Sequence, residues 1–109
     1  MNKTLIEKTA NKLVNAFLKN KIIAPIPSKY TKKLNEAQKL RKICESKIKD
    51  SVIGFKAAGT GIPVMKKLNE KEPFYASVYK KNFLKSGKKV KINKSTLGIE
   101  LEVCYLIKK

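Results

Sequence analysis

Two acidic residues near the end of the chain have a spacing that suits metal binding. Glu100 and Glu102 are two residues apart in the stretch 97–106, which runs LGIELEVCYL. The alternation of apolar and acidic residues predicts a β-strand, and in a strand both carboxylates project from one face, roughly 6.5–7 Å apart along the backbone. Two interpretations stay open from these residues alone: the pair holds one divalent ion, or it forms the hydrated face of an edge strand.

Lys56 is the second candidate for chemistry. It interrupts an otherwise almost continuous apolar run at 51–58, which is typical of a buried strand. The run leads into Gly59, Thr60 and Gly61, a sequence that predicts a turn but matches neither a phosphate-binding loop nor a dinucleotide fingerprint. A lysine at this place either points from the end of the strand into a cleft or extends along the surface to reach water.

The composition limits the class of protein. A chain of 109 residues with 42% apolar residues fits one globular domain, spanning 1–109. No run approaches the roughly 18–20 apolar residues of a membrane span, and the N-terminus lacks the features of a signal peptide, so we expect a cytoplasmic protein. Histidine is absent, which excludes the usual zinc sites and the Ser-His and Cys-His catalytic pairs. Cys44 and Cys104 are expected to be small buried apolar residues in a reducing compartment.

The net charge of +18 suggests nucleic-acid binding, but the residues that carry the charge argue against it. Arg41 is the single arginine, whereas base readout and bidentate phosphate contacts favour arginine. The lysines are spread along the chain, and aromatic residues that could stack on bases are sparse. A hydrated coat of lysines is therefore the favoured interpretation, and we do not expect a nucleic-acid partner.

The order of predicted elements favours an α+β fold, with helices at about 1–48 and a small mixed β-sheet at about 50–109. An apolar stripe predicts a first helix, and a core-packing role is favoured over a membrane-surface role. The stripe consists of Leu5, Ile6, Ala10, Leu13, Val14 and Phe17. A proline-broken connector follows at 22–28, and then a second helix at 35–47 in which Arg41 and Glu45 can pair. Strands are predicted at 51–58, at 75–79, around 90–92 and at 97–106, with a helical turn at 63–68.

Four segments, taken in order, resemble the 2-keto-4-pentenoate hydratase family of the fumarylacetoacetate hydrolase superfamily. They are GFKAAGT at 54–60, MKKL at 65–68, EPFYA at 72–76 and IELEV at 99–103. The family pattern is a glycine-aromatic-lysine strand and turn, a helix, a proline-containing loop that ends in an aromatic residue, and a strand with two glutamates two apart. The resemblance extends over essentially the whole chain.

The resemblance implies a role for each matching residue. Glu100 and Glu102 match two carboxylate ligands of a Mg²⁺ or Mn²⁺ ion, and carboxylate oxygens suit both ions. Lys56 matches the catalytic lysine that faces the carboxylate and oxo group of the substrate, and Thr60 matches the turn residue that binds the substrate beside it. The implied activity is hydration, or decarboxylation, of 2-oxo and 2-hydroxydienoate acids from aromatic catabolism.

The sequence also departs from the family pattern. Phe74 stands where many hydratases have an acidic residue, Ala76 where glycine is usual, and Gly61 where serine is common. Family members are longer and carry a third metal carboxylate beyond the glutamate pair. We therefore expect a truncated hydratase whose apolar strand face needs a second copy or another chain. The alternatives are an inactive remnant that serves as a binding or structural module and, less favoured, a small basic nucleic-acid-binding protein.

Overall fold

The structure, a computed structural model, describes residues 3–94 and 96–108. Its helices are α1 (Lys3–Leu18), α2 (Lys29–Lys32), α3 (Leu34–Lys47) and α4 (Ile62–Leu68), and its strands are β1 (Val52–Ala58) and β2 (Phe74–Tyr79). A single 3₁₀ turn, Lys80–Asn82, follows β2. These elements confirm the predicted α+β class. None of the helices in the described ranges is long and apolar enough to cross a membrane.

The core lies between α1 and α3. Ile6 and Ala10 of α1 pack with Leu40 of α3, and all three side chains are buried. Partly buried side chains surround this cluster, namely Leu13, Ile26, Ile43 and Cys44. The middle of the apolar stripe of α1 therefore faces the core, because residues three and four apart share one side of a helix, whereas Leu5 and Phe17 at its ends are exposed. This confirms the core-packing interpretation of the first helix.

Helix α2 was not predicted from the sequence. It has only four residues, too few to be stable through helix propensity alone. Its Tyr30 is 2% exposed and belongs to the core cluster between α1 and α3. Burial of this one aromatic ring is the physical reason for a helical turn at this place, and such a tertiary cause leaves little trace in the local sequence.

The sheet formed by the described residues has two strands. β1 and β2 pair antiparallel, with Phe55 opposite Ser77 and Lys56 opposite Ala76. The register is irregular between 52 and 54. The expectation of a mixed sheet was therefore wrong in this detail, because the sheet of the described chain has no parallel pair. Helix α4 connects the strands, close to its predicted range of 63–68.

The chain that follows the 3₁₀ turn has no helix or strand within 83–94 and 96–108, and each described residue there is exposed. The predictions of strands around 90–92 and at 97–106 were wrong. Alternating side chains are a local pattern, whereas a strand is held by a hydrogen-bonded partner, and neither stretch has one among the described residues. Cys104 is exposed, contrary to prediction, whereas Cys44 is partly buried against the core.

The molecule exposes much more surface than a compact monomer of its size. Its accessible surface is 9944 Å², against about 6,100 Å² expected for a folded monomer of this mass. The radius of gyration is 15.5 Å, against about 13 Å for a compact domain of this length. Residues 96–108, here named the C-terminal segment, contribute large apolar side chains to this surface, and Leu97 and Leu101 are each 98% exposed.

Candidate functional site

Three of the four predicted site residues meet in the structure. The Nζ atom of Lys56 lies 2.7 Å from Oε2 of Glu100 and 3.0 Å from Oε1 of Glu102. Lys56 and Glu100 are 44 residues apart in the sequence, so the contact is tertiary. A single ammonium group thus binds both carboxylates, one from each glutamate.

The pairing of the strands determines where Lys56 points. Phe55 and Ser77 are opposite each other in the ladder and share one face of the sheet, so Lys56 and its partner Ala76 share the other. The Ser77 hydroxyl donates a 2.8 Å hydrogen bond to Glu45 of α3, which shows that the first face is turned toward the helices. Lys56 therefore leaves the sheet on the side away from α3, where the C-terminal segment reaches it.

The spacing of Glu100 and Glu102 allows both to contact one ammonium. In an extended backbone, side chains two residues apart point in the same direction, whether or not the backbone is hydrogen-bonded to a neighbour. Ile99 and Leu101 lie at the intervening positions and are 89% and 98% exposed. Both acids thus reach the same ammonium, as the predicted spacing required, although the predicted strand does not form.

The site is open to solvent. The exposed fractions of the Lys56, Glu100 and Glu102 side chains are 46%, 74% and 48%. Hydrogen bonds to Glu100 and then Glu102 raise the pKa of Lys56, and the hydrogen bond from Lys56 lowers the pKa of Glu100. Lys56 is therefore a charged hydrogen-bond donor at neutral pH and not a proton acceptor.

An open groove runs beside the three charged groups. Its other lining residues belong to the C-terminal segment: Thr96, Leu97, Gly98 and Ile99. Thr60, the fourth predicted site residue, does not line this groove; it is exposed in the loop between β1 and α4. The structure therefore joins the lysine to the two acids but does not add the threonine. The sequence predictions had not included the groove residues at 96–99, for which residue type alone gives no signal.

The donor set suits a magnesium or manganese ion only as part of a larger shell. Glu100 and Glu102 supply hard carboxylate oxygens that converge on one point, and Mg²⁺ is commonly held by one or two carboxylates while water and substrate complete its octahedron. No group of three or more acidic or cysteine ligands occurs in the described part of the chain. The ammonium of Lys56 occupies the point of convergence, so a dication would have to displace it.

A second polar cluster joins the helices to the sheet. Arg41 Nη1 donates to both carboxylate oxygens of Glu45, at 2.7 and 2.8 Å, and Ser77 adds its 2.8 Å bond to the same carboxylate. Arg41 also lies 4.8 Å from the centre of the Tyr75 ring. Burial raises the pKa of Glu45, but the hydrogen bonds from Ser77 and Arg41 outweigh it and the net shift is downward. The sequence predicted the Arg41–Glu45 pair and missed Ser77.

A basic groove lies at the end of α1. Its lining residues are Lys19, Asn20, Lys21, Ile22, Lys91, Asn93 and Lys94. The aromatic residues needed to stack on bases are not among them. The groove brings four lysines together at this place.

Comparisons of the chain with protein-family models, with curated proteins and with solved structures find no match.

Proposed function

We propose that this chain is a 2-keto-4-pentenoate hydratase-like protein that acts on 2-oxo or 2-hydroxydienoate acids with Mg²⁺ or Mn²⁺. The observation that supports the proposal is the joint contact of Lys56 with Glu100 and Glu102. The resemblance assigns one lysine to the substrate and two glutamates to the metal, and these are the residues that meet. A contact across 44 residues is not a consequence of local sequence, so it supports the resemblance independently.

The chain's own residues have distinct tasks in this proposal. Glu100 and Glu102 would hold the ion, which would supply a Lewis acid for the oxo group. Lys56, released from the carboxylates, turns its ammonium toward the carboxylate of the substrate. It binds and orients the acid, and it stabilises negative charge on the oxo oxygen by hydrogen bonding. The protonated state of Lys56 at neutral pH suits this task.

The groove beside the site provides room for the substrate chain. Leu97 and Ile99 give it apolar walls next to the charged groups, a combination that suits an acid with a short unsaturated tail. Whether the chain adds water or removes carbon dioxide depends on a proton-transfer group. Phe74 stands where many hydratases have an acidic residue, so the proposal assigns this step to no residue of the chain.

The proposal is tested by measuring turnover of 2-hydroxypenta-2,4-dienoate from the loss of its ultraviolet absorbance in the presence of Mn²⁺. We expect Lys56→Met to lower the rate by about 10²-fold or more, because a positioned charged donor is lost. Lys66→Met is the matched control, since Lys66 is an exposed lysine of α4. Equal rates in wild type and Lys56→Met, or no turnover by the wild type, would refute the proposal.

One observation favours a second candidate function, a binding or structural module without catalysis. The Lys56 ammonium already satisfies both carboxylates, and the site excludes little water. In a working active site, the exclusion of water strengthens each electrostatic contact. A module of this kind would keep the ion pairs as a structural link between β1 and the C-terminal segment. It predicts no turnover, and no binding of Mg²⁺ or Mn²⁺ in a calorimetric titration.

A further inference from the structure

The C-terminal segment carries an unusual set of exposed apolar side chains. Each of them is more than three-quarters exposed: Leu97, Ile99, Leu101, Val103, Tyr105, Leu106 and Ile107. The only backbone hydrogen bond described within the segment is that of Thr96, at its start. A stretch with free backbone groups and alternating apolar side chains is a template for pairing with another strand.

We propose that two copies of this chain pair through this segment as antiparallel β-strands, with Cys104 of one copy opposite Cys104 of the other. The pairing extends over residues 100–108 and has two-fold symmetry, as closed homodimers do. It goes beyond the proposed function, since it requires neither a metal nor a substrate.

The side chains that become neighbours in this register are complementary. With Cys104 on the two-fold axis, Leu101 faces Ile107 and Val103 faces Tyr105, so large apolar side chains meet on one face of the new sheet. Aliphatic and aromatic residues directly opposite each other are favourable cross-strand pairs. Each of these pairs occurs twice in the dimer, once on each side of the two-fold axis.

Charge and apolar contact together select this register over its neighbours. With Cys104 on the axis, Glu100 faces Lys108 of the second copy, which is an opposite-charge pair. An axis at Glu102 would place two Glu102 carboxylates directly opposite each other, which is unfavourable. An axis at Val103 would give neither glutamate a charged partner. An axis at Tyr105 would also give an opposite-charge pair, Glu102 with Lys108, but it would leave Leu101 without an apolar partner across the strands. The ion pairs with Lys56 persist in the dimer, because they use side chains whereas strand pairing uses the backbone edge.

The exposed surface of the chain favours a second copy as the occupant, and the near-neutral charge of the segment permits it. The surface in excess of a compact monomer is larger than the roughly 800 Å² that each partner contributes to a standard interface. Residues 97–108 have a net charge of −1 in a chain of +18, so the segment itself is nearly neutral. The remaining lysines of two copies repel each other at a distance, and salt screens this repulsion. Self-pairing should therefore strengthen as the salt concentration rises, whereas the binding of an acidic partner of another sequence should weaken.

The first experiment is sedimentation velocity on the full chain at several protein and salt concentrations. We expect a species of twice the 12.3 kDa chain mass, whose fraction rises with protein concentration and with NaCl. Cys104 on the axis forms the closely spaced pair without hydrogen bonds, so the N–H of Val103 points to the partner strand. Val103→Pro should therefore abolish the dimer, since proline removes this backbone donor. The same substitution leaves the monomer intact, because Val103 takes part in no described hydrogen bond and is 78% exposed. Its circular dichroism and melting temperature should match those of the wild-type monomer.

The second experiment tests the register by disulfide cross-linking with diamide, which oxidises two thiols to one disulfide and is itself reduced to the hydrazine. In a Cys44→Ala background, Cys104 should give a covalent dimer, because directly opposite Cα atoms lie within disulfide range. The comparison variant is Cys44→Ala, Cys104→Ser, Leu97→Cys, which places the thiol at a 98% exposed position outside the paired residues. It should cross-link at least tenfold more slowly.

Three results would overturn the proposal. The first is a 12.3 kDa monomer at all protein and salt concentrations. The second is an assembly that Val103→Pro leaves unchanged, since it would use another surface. The third is equal cross-linking rates for thiols at 104 and 97, since random collisions and not a fixed register would then produce the disulfide.

Discussion

The ammonium of Lys56 lies 2.7 Å from Oε2 of Glu100, and this contact links β1 to the C-terminal segment. Both side chains are largely exposed, so the ion pair is screened by water and contributes little to the stability of the fold. The ion pair instead determines the positions of the three charged groups of the site. It holds them together by a contact that depends on pH and on salt. The geometry of the site can therefore be altered without unfolding the helical core.

Lys56→Met should change the titration of Glu100. In the wild type the hydrogen bond from Lys56 holds the pKa of Glu100 below its ordinary value, so the contact is complete above that ordinary value and is lost as pH falls through the lowered pKa. Without the ammonium, we expect the pKa of Glu100 to return upward. The side-chain carboxyl carbon signal, followed by NMR between acid and neutral pH, measures this. Lys66→Met is the control, and a Glu100 pKa that is the same in all three proteins would contradict the ion pair.

Mn²⁺ should bind the wild type if Glu100 and Glu102 hold the ion, and isothermal titration calorimetry measures this binding directly. The melting temperature is a poor readout, because both ligands lie in one exposed segment and the ion would displace Lys56, which links that segment to β1. Glu100→Gln should abolish the binding, whereas Glu72→Gln, at an exposed loop glutamate, should preserve it.

Lys56→Met provides a sharper test of the same site. Because the ammonium lies between the two carboxylates, its removal should strengthen Mn²⁺ binding and shift the calorimetric titration to lower metal concentration. The proposed site would be refuted if neither the wild type nor Lys56→Met bound Mn²⁺ in this titration.

Where the fold was predicted correctly, the local sequence pattern and the tertiary contacts agree. The apolar stripe of α1 predicted both the helix and its buried face, and Pro63 marked the first turn of α4. The segments 90–92 and 97–106 carry an equally clear strand pattern and form no strand. The pattern specifies which side chains share a face, but the hydrogen-bonded partner that makes a strand is a property of the rest of the molecule.

The candidate site also contains both correct and missed predictions. Lys56, Glu100 and Glu102 were proposed from residue type, spacing and resemblance, and the structure brings them together. Thr60 was proposed only through the resemblance and lies outside the groove. The bond from Ser77 to Glu45 was missed, since a hydroxyl on a strand and a carboxylate on a helix 32 residues away have no recognisable spacing.

Ser77→Ala should destabilise the chain by about 1 kcal/mol, because a hydrogen bond to a charged group is lost at a half-buried place. Chemical denaturation measures the difference in the free energy of unfolding. The exposed turn residue Ser86 offers a matched control, and Ser86→Ala should change the free energy by less than about 0.5 kcal/mol. Similar values for the two variants would mean that the Ser77 bond does not attach the sheet to α3.

Glu45→Gln tests the same cluster through its pH dependence. The pKa of Glu45 is lowered in the folded chain, so its contribution to stability is complete above its ordinary value and is lost as pH falls through the lowered one. Wild type should therefore lose stability relative to Glu45→Gln over that acid range. Parallel stability curves for the two proteins would show that the carboxylate charge has no part in the cluster.

Gly59→Ala should be the most destabilising of three glycine substitutions. Gly59 has φ +67°, and an added Cβ would lie 2.9 Å from Cε1 of the Phe74 ring, so both the backbone and the packing oppose it. Gly87 has φ +82° but nothing within 4 Å of an added Cβ, so Gly87→Ala isolates the backbone cost of about 1 kcal/mol. Gly98 has neither obstacle, and Gly98→Ala should be neutral.

We expect the loss in Gly59→Ala to reach about 2 kcal/mol or more, measured as the free energy of unfolding. Equal losses in Gly59→Ala and Gly87→Ala would mean that Phe74 yields without cost, and that the turn after β1 is not held by this ring.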